Sequence, residues 1–170
     1  CIAAVVGSVV EDVACRWEMA QAVPPRLIWR RTLNEVRELA IWALTLGAEQ
    51  LPGARAYSEI PFGGSPLKSD DALPWDATTP VRIPGVDFRI AGYIDRLDVS
   101  ADGRRVLVCD YKTGLRPKTD IILKGGQELQ RGLYAFAVLA RLGAEVEVDA
   151  SLLYLRDQTD LRLQEPQATL

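Results

Sequence analysis

The N-terminal third of the chain carries apolar side chains at helical spacing. Across residues 1–22 they recur every three or four positions, which predicts a helix despite the many valines. Pro24 and Pro25 then open a second helical pattern, since proline is tolerated in the first turn of a helix, and this pattern ends around Gly47 and Pro52. The apolar positions are Ile2, Val5, Val6, Val9, Val10 and Val13 in the first pattern and Leu33, Val36, Ala40, Ala43 and Leu44 in the second.

The middle of the chain changes from helical to strand-like spacing. Residues 57–62 predict a short strand, and residues 63–80, which are rich in Gly, Pro, Ser and Asp, predict a long loop. Residues 86–99 and 105–111 predict two further strands. The Asp-Gly pair between them is a strong signal for a β-hairpin.

The last part of the chain combines one helix with one strand. Residues 127–142 predict a helix that Gly143 ends, because glycine readily adopts the conformation found after helix C-termini. Residues 146–155 return to a strand pattern. This order predicts one mixed α/β domain, with helices in residues 1–52 and a central sheet in residues 53–170. The side chains predicted to face inward from the helix are Leu129, Leu133, Phe136 and Ala140.

The predicted hairpin places two carboxylates opposite each other. If Asp102 and Gly103 form a two-residue type I′ turn, Leu97 pairs with Val108 and Asp95 pairs with Asp110. Two unit charges about 5 Å apart repel by roughly 3 kcal/mol at an effective dielectric near 20. A divalent cation would offset this repulsion, and Mg²⁺ (or Mn²⁺) takes oxygen ligands of this kind.

A lysine is predicted on the same face as these carboxylates. Lys112 lies two residues beyond Asp110 and projects to the same side of the strand, whereas Tyr111 points away. In phosphodiester hydrolysis this ammonium would orient a water and stabilise the developing charge. The alternative is a solvated Asp-x-Lys pair without a function. A switch in the parity of the apolar residues also predicts a bulge near Asp95 that shifts the register by one residue.

Composition narrows the chemistry. The 170 residues contain no histidine, which excludes Ser-His-Asp and Cys-His catalysis and His-ligated zinc. The cysteines Cys1, Cys15 and Cys109 are odd in number and lack C-x-x-C spacing, so they indicate neither a disulfide framework nor a complete metal site. A net charge of -3 argues against nucleic-acid binding through overall charge and is compatible only with a locally basic channel.

No apolar run reaches the roughly 20 residues of a membrane span, and we expect a cytoplasmic setting.

Three sequence blocks together resemble the RecB/AddB-type nucleases of the PD-(D/E)XK superfamily. They are GYIDRLD at residues 92–98, VCDYKTG at residues 108–114 and QELQRGLYA at residues 127–135. These blocks match the family patterns G-x-I-D-R-x-D, D-Y-K-T-G and Q-x-x-x-Y in the same order. The resemblance covers about residues 57–155 well and the N-terminal helices weakly. It implies a restriction-endonuclease-like core, in which a mixed central sheet is flanked by helices.

The resemblance assigns roles to residues of these blocks. It implies that Asp95 and Asp110 are metal ligands, that the carbonyl of Tyr111 is a further ligand and that Lys112 is the catalytic lysine. Gln130 and Tyr134 match the Q-x-x-x-Y helix. Since they are four residues apart they share one helical face, where they would hold the lysine or a DNA phosphate, or would simply line the rim of the core.

Two acidic residues outside the blocks are weaker candidates. The family usually carries G-x-x-x-H in its first helix, and the nearest match here begins at Gly7 and ends at Glu11. Glu11 therefore stands where the metal-binding His would be, and a carboxylate is a suitable Mg²⁺ ligand, although an exposed helical Glu has an equally simple structural explanation. Glu59 lies in a strand that precedes the motifs in relatives.

The basic residues around the motifs are candidate DNA contacts, although each would equally serve solubility. They are Arg96, Arg116, Lys118, Lys124 and Arg131, and the loop of residues 114–126 would follow a phosphate backbone. Some AddB-like relatives hold an iron–sulfur cluster through one Cys before this domain and three after it. The chain lacks those three, so we expect no complete cluster and regard the chain as a fragment of a larger helicase–nuclease protein.

The combined interpretation is a Mg²⁺-dependent deoxyribonuclease of the RecB/AddB kind. It would act as an exonuclease in recombination and double-strand-break repair, together with a helicase domain or subunit. The alternative is a nuclease fold that serves DNA binding or assembly of such a complex. A third class, an RNA-directed or small-phosphoester hydrolase, stays open on the sequence alone.

Overall fold

The computed structural model describes residues 1–68, 72–83, 85, 87–116 and 127–162, and for residues 127–129 the backbone alone. The chain divides into two units, Cys1–Gln50 and Leu51–Leu170. No helix in the described ranges has the length and apolar character that crossing a bilayer requires.

The first unit is a pair of helices, as the spacing predicts. Helix α1 spans Ile2–Ala20 and helix α2 spans Arg26–Gln50, directly after the two prolines. The buried side chains of α1 recur every four residues, at Val6, Val10 and Ala14, which is the spacing of one helical face.

The second unit contains seven described strands and one helix. They are β1 Arg55–Phe62, β2 Val81–Arg82, β3 Arg89–Ile90, β4 Gly92–Val99, β5 Arg105–Lys112, α3 Gln127–Leu142, β6 Glu147–Tyr154 and β7 Thr159–Arg162. Five of the strands form one sheet in the order β1-β4-β5-β6-β7. Strands β5 and β6 are parallel, and the helix α3 that connects them packs against both. The other neighbouring strands are antiparallel, so the sheet is mixed and the predicted α/β class is confirmed.

Three details of the predicted elements are wrong. The strand predicted at residues 86–99 is divided, because β3 pairs with β2 in a separate two-stranded sheet and β4 begins only at Gly92. Strand β7 was not predicted. The fully buried side chains of α3 are Ala135, Ala137 and Val138, whereas Ala140, which was predicted to face inward, is exposed. Phe136 packs against the core as predicted, Leu133 is half-buried, and the side chain of Leu129 lies outside the described residues.

The hairpin between β4 and β5 keeps the predicted register with a different turn. Ser100 N donates to Arg105 O at 2.9 Å and Gly103 N donates to Ser100 O at 2.9 Å, so residues 101–104 form a four-residue loop. Asp102 stabilises this loop by accepting a hydrogen bond from the Ser100 hydroxyl at 2.6 Å. The loop gains one residue on each side relative to a type I′ turn, and the pairing is therefore preserved. The observed pairs are Arg96–Cys109, Leu97–Val108, Asp98–Leu107 and Val99–Val106.

In strands β1 and β4 the regular alternation of side chains between the two faces of the sheet is interrupted near Asp95. Ile94 and Leu97 are three residues apart, yet both are fully buried in one core. Glu59 of β1, which lies between the paired residues on either side of this change, has a left-handed backbone with φ 52°. The pairs that flank it are Ser58–Arg96 and Ile60–Ile94. The register between β1 and β4 is the same on both sides of Glu59, whereas the ladder between β4 and β5 ends at Arg96–Cys109, so the predicted shift of the hairpin register at Asp95 stays a prediction.

Gly63 is a position where only glycine fits. Its φ is 69°, and an added Cβ would lie 2.0 Å from the carbonyl oxygen of Ile90. We predict that Gly63→Ala lowers the free energy of unfolding by roughly 2–4 kcal/mol, since backbone strain and a clash with main-chain atoms combine. Urea unfolding measures the change.

Gly103→Ala is the matched control for this experiment. Gly103 has a similar φ of 70°, but no described heavy atom lies within 4 Å of the added Cβ. We expect a loss of only about 1 kcal/mol from the backbone conformation alone. Equal losses in the two variants would show that the contact with Ile90 is not important.

Candidate active site

The end of β5 presents a carboxylate and an ammonium to helix α3. Asp110 and Lys112 alternate with Tyr111 along the strand, and both contact Gln130 of α3. Asp110 is only 3% exposed, whereas Lys112 is half-buried. Their ion pair brings Lys112 Nζ to 2.5 Å from Asp110 Oδ2.

Asp95 joins this cluster through its side chain. The ladder between β4 and β5 ends at the pair Arg96–Cys109, so the predicted cross-strand pair of Asp95 with Asp110 is not formed. Beyond the ladder, the Oδ2 atom of Asp95 accepts a hydrogen bond from Tyr111 N at 2.9 Å. The carboxylate thus takes the place of a main-chain partner at the strand end. Asp95 is close enough to Asp110 for its charge to contribute to the raised pKa of that residue, so the structure brings the two predicted carboxylates together.

Gln130 is the centre of the hydrogen-bond network. Its Oε1 accepts from Lys112 Nζ at 3.0 Å. Its Nε2 donates to Asp110 Oδ1 at 2.9 Å and to the Tyr134 hydroxyl at 2.8 Å. Because the amide oxygen faces the ammonium and the amide nitrogen faces the carboxylate, one orientation of Gln130 satisfies both charged groups. Of the two predicted partners of this residue, a lysine or a DNA phosphate, the lysine is in contact.

Burial dominates the electrostatics of Asp110. It raises the pKa of this carboxyl above its ordinary value; the Lys112 ammonium acts in the opposite direction and the Asp95 charge adds to the rise. Oδ2 is buried, and the Lys112 ammonium 2.5 Å away is its charged partner among the described residues. A desolvated carboxylate needs such a positive charge beside it, and a bound cation would meet the same need.

Tyr134 forms the apolar border of the site. Its ring packs edge-on against Phe62, with 6.2 Å between the ring centroids. Burial is the main cause that raises the pKa of its hydroxyl, and the nearby charges of Asp110, Asp95 and Glu59 act in the same direction. The hydroxyl therefore stays neutral and accepts the hydrogen bond from Gln130.

Arg96 is not available to DNA, contrary to the prediction. It is 7% exposed, and its Nε lies 3.0 and 2.9 Å from the two carboxylate oxygens of Asp98, which is itself 1% exposed. The guanidinium also contacts the Tyr111 hydroxyl at 3.5 Å. The pair is buried within the sheet unit, because a guanidinium and a carboxylate can compensate each other away from water. We therefore remove Arg96 from the candidate DNA contacts.

Arg131 is a second correction. It is 5% exposed, and its Nη1 donates to the carbonyl of Leu161 at 2.6 Å, which connects α3 to β7. Arg116 is exposed, and its backbone N donates to Asp157 at 2.8 Å, so a DNA contact by its side chain stays a prediction. Lys118 and Lys124 lie outside the described residues.

The two weaker acidic candidates lie in different units. Glu11 belongs to the helical unit, where it is exposed and forms a 3.6 Å ion pair with Arg37. Its role as a metal ligand stays a prediction. Glu59 belongs to the sheet unit, and its carboxylate lies 2.5 Å from the ammonium of Lys68. Lys68 was not found by sequence reasoning, because it lies in a loop without periodicity or a motif.

The residues present suit a hard divalent ion with oxygen ligands. The described residues contain no group of three or more His, Cys, Asp or Glu side chains that would hold a metal by themselves. Asp95 and Asp110 supply two carboxylates, and Mg²⁺ is commonly bound by one or two carboxylates with water and substrate phosphate completing the shell. Asp110 is 3% exposed and the Asp95 charge acts on it, so two carboxylates of the required kind lie together at this strand end.

Comparison with known proteins defines the family. Residues 2–169 match the PD-(D/E)XK nuclease superfamily, and the chain belongs to it. The mixed five-stranded sheet agrees with the restriction-endonuclease-like core expected for this superfamily, whose members generally use divalent metals. No curated protein matches the chain.

Asp110→Asn should separate stability from function. Since burial raises the pKa of Asp110 above its ordinary value, this carboxyl increasingly opposes folding as the pH rises above the ordinary pKa, and the effect is complete above the pKa of the folded state. This opposition vanishes as the pH falls below the ordinary pKa. We predict that the variant has a higher unfolding midpoint than the wild type at neutral pH in EDTA, and that the difference shrinks on acidification.

Asp87→Asn, which neutralises an exposed carboxylate, controls for the loss of one negative charge. Thermal unfolding across a pH series measures both variants against the wild type. A lower midpoint for Asp110→Asn at neutral pH would mean that the ion pair with Lys112 outweighs the penalty of burial.

Proposed function

We propose that this chain is a divalent-metal-dependent nuclease that hydrolyses DNA phosphodiester bonds at the cluster of Asp95, Asp110 and Lys112. The observation that carries the proposal is the contact of Gln130 with both Asp110 and Lys112, which fixes a carboxylate and an ammonium side by side. Asp95 is anchored at the same strand end through Tyr111 N.

Each residue has a distinct task in this proposal. Asp95 and Asp110 would hold the metal, and the Tyr111 carbonyl stays a candidate further ligand. When bound, Mg²⁺ polarises a phosphate and lowers the pKa of a water molecule. Gln130 fixes the position of Lys112, and Tyr134 supports Gln130.

In this proposal Lys112 acts on the substrate. An ammonium has three N–H donors, and among the described residues Lys112 directs one to Gln130 and approaches Asp110 with another. The third is available for a phosphate oxygen or for the attacking water. Since the positions of Asp110 and Gln130 are set by burial and hydrogen bonds, the ammonium needs little reorganisation to stabilise charge in the transition state.

The sequence motifs support a narrower proposal within the superfamily. The D-Y-K-T-G block and the Q-x-x-x-Y helix resemble those of RecB/AddB-type enzymes. Gln130 of the helix contacts both Lys112 and Asp110 of the strand, so the two blocks contribute to one hydrogen-bond network. We therefore propose an exonuclease of recombination and repair that works with a helicase domain or subunit.

A nuclease-fold module for DNA binding or assembly is the second candidate. It is favoured by Glu11, which replaces the histidine of the family pattern and forms an ion pair with Arg37. If this substitution weakens metal binding, the fold would persist without strong cleavage.

Cleavage of labelled linear DNA tests the proposal. We predict that the wild type degrades it with Mg²⁺ or Mn²⁺ and not in EDTA, and that Asp95→Asn and Asp110→Asn each lose roughly 100-fold or more in rate, because each removes a carboxylate that would hold the metal. Asp87→Asn should retain wild-type activity.

The same assay distinguishes the alternatives. Equal cleavage by the wild type and Asp110→Asn would show that the proposed site is wrong. DNA binding without cleavage by the wild type would favour the binding module. Faster hydrolysis of RNA or of a small phosphodiester than of DNA would assign the site to another substrate class.

A further inference from the structure

Lys68 is held beside the proposed active site by two contacts. Its Nζ lies 2.5 Å from Glu59 Oε2 and 4.0 Å from the ring centroid of Tyr93. The Tyr93 hydroxyl donates to Pro66 O at 2.9 Å, which ties the loop that carries Lys68 to strand β4. The ammonium therefore has a defined position.

This position is electrostatically linked to the carboxylates of the site. The hydrogen bond to Glu59 is the main cause that raises the pKa of Lys68, and Asp95 adds to the rise. Glu59 and Asp95 also contribute together to the raised pKa of the Tyr134 hydroxyl. Glu59 lies at the level of Asp95 in the β1–β4 ladder, between the pairs Ser58–Arg96 and Ile60–Ile94, so its ion pair with Lys68 lies next to that carboxylate.

The backbone at Glu59 is the second distinctive feature of this region. Its φ of 52° is uncommon for a residue other than glycine, asparagine or aspartate and is a strained backbone conformation. This conformation occurs at the level where β1 and β4 change phase next to Asp95. A strained residue beside a reactive group is a feature typical of functional sites.

The Lys68–Glu59 pair differs from the Lys112–Asp110 pair in its exposure. The side chains of Lys68 and Glu59 are 51% and 52% exposed, whereas those of Lys112 and Asp110 are 25% and 4% exposed. An exposed ion pair contributes little to stability, so its ammonium can exchange a carboxylate partner for a phosphate at small cost. The buried pair is held by Gln130 and keeps its geometry.

We propose that Lys68 is a phosphate-contacting residue that leaves Glu59 to bind the DNA backbone next to the scissile phosphate. This inference rests on the proposed function as a DNA nuclease. Glu59 competes with the substrate for the ammonium and keeps it in place when DNA is absent. Lys112 acts at the scissile phosphate, and Lys68 positions the neighbouring part of the DNA backbone.

The salt dependence of DNA binding tests this role. Binding of a fluorescent DNA oligonucleotide is measured at several salt concentrations in an Asp110→Asn background, which prevents cleavage. Each phosphate contact contributes about one unit to the slope of log affinity against log salt. We predict that Lys68→Ala reduces this slope by about one, that Lys68→Arg retains it, and that Glu59→Gln tightens binding.

Arg104→Ala is the matched control for the loss of a positive charge. Arg104 is exposed and lies in the hairpin loop at the opposite end of β5 from Lys112, so its removal should leave the slope unchanged. The unfolding midpoint of Lys68→Ala confirms that the variant is folded.

The outcomes separate this inference from the proposed function. An unchanged slope for Lys68→Ala, or unchanged affinity for Glu59→Gln, overturns the role of Lys68 even if the wild type cuts DNA. Absence of both DNA binding and cleavage in the wild type overturns the proposed function and this inference together.

Discussion

The burial of one carboxylate governs the arrangement of this site. Asp110 is almost inaccessible to water, and the free energy lost by dehydrating its charge has to be recovered from neighbouring groups. Lys112 supplies the opposite charge and Gln130 supplies a hydrogen bond. The Asp95 charge opposes this compensation, and a divalent cation held by both carboxylates, as we propose, would offset it.

An irregularity where β1 and β4 pair allows the sheet to supply side chains to both the hydrophobic core and the candidate active site. Regular alternation would place Ile94 and Leu97 on opposite faces, yet both are fully buried in one core. The change of phase at Glu59 and Asp95 keeps both apolar residues inside. At this level the Asp95 side chain of β4 accepts a hydrogen bond from Tyr111 N, and the Lys68 ammonium contacts the Glu59 carboxylate of β1.

Local patterns predicted the parts of the fold that depend on neighbouring residues in sequence. The hairpin register and the helical pairing of Gln130 with Tyr134 follow from spacings of two and four residues, and both are observed. The turn was wrong in detail because two-residue and four-residue loops support the same register. The strand at residues 86–99 was predicted whole because its apolar spacing does not reveal that β3 belongs to another sheet.

Features that depend on tertiary contacts could not be predicted from the sequence. Arg96 and Arg131 were assigned to the surface because arginine is usually exposed, whereas Asp98 and the Leu161 carbonyl compensate them in the interior. Lys68 gains its position from Tyr93 and Glu59, which are distant in sequence.

The most direct test of the account is the location of a divalent ion in crystals soaked with Mn²⁺. Anomalous diffraction is predicted to show a peak at coordination distance, roughly 2–2.4 Å, from carboxylate oxygens of both Asp95 and Asp110. Peaks confined to other parts of the molecule, or no peak at these two carboxylates in a fully soaked crystal, would contradict it.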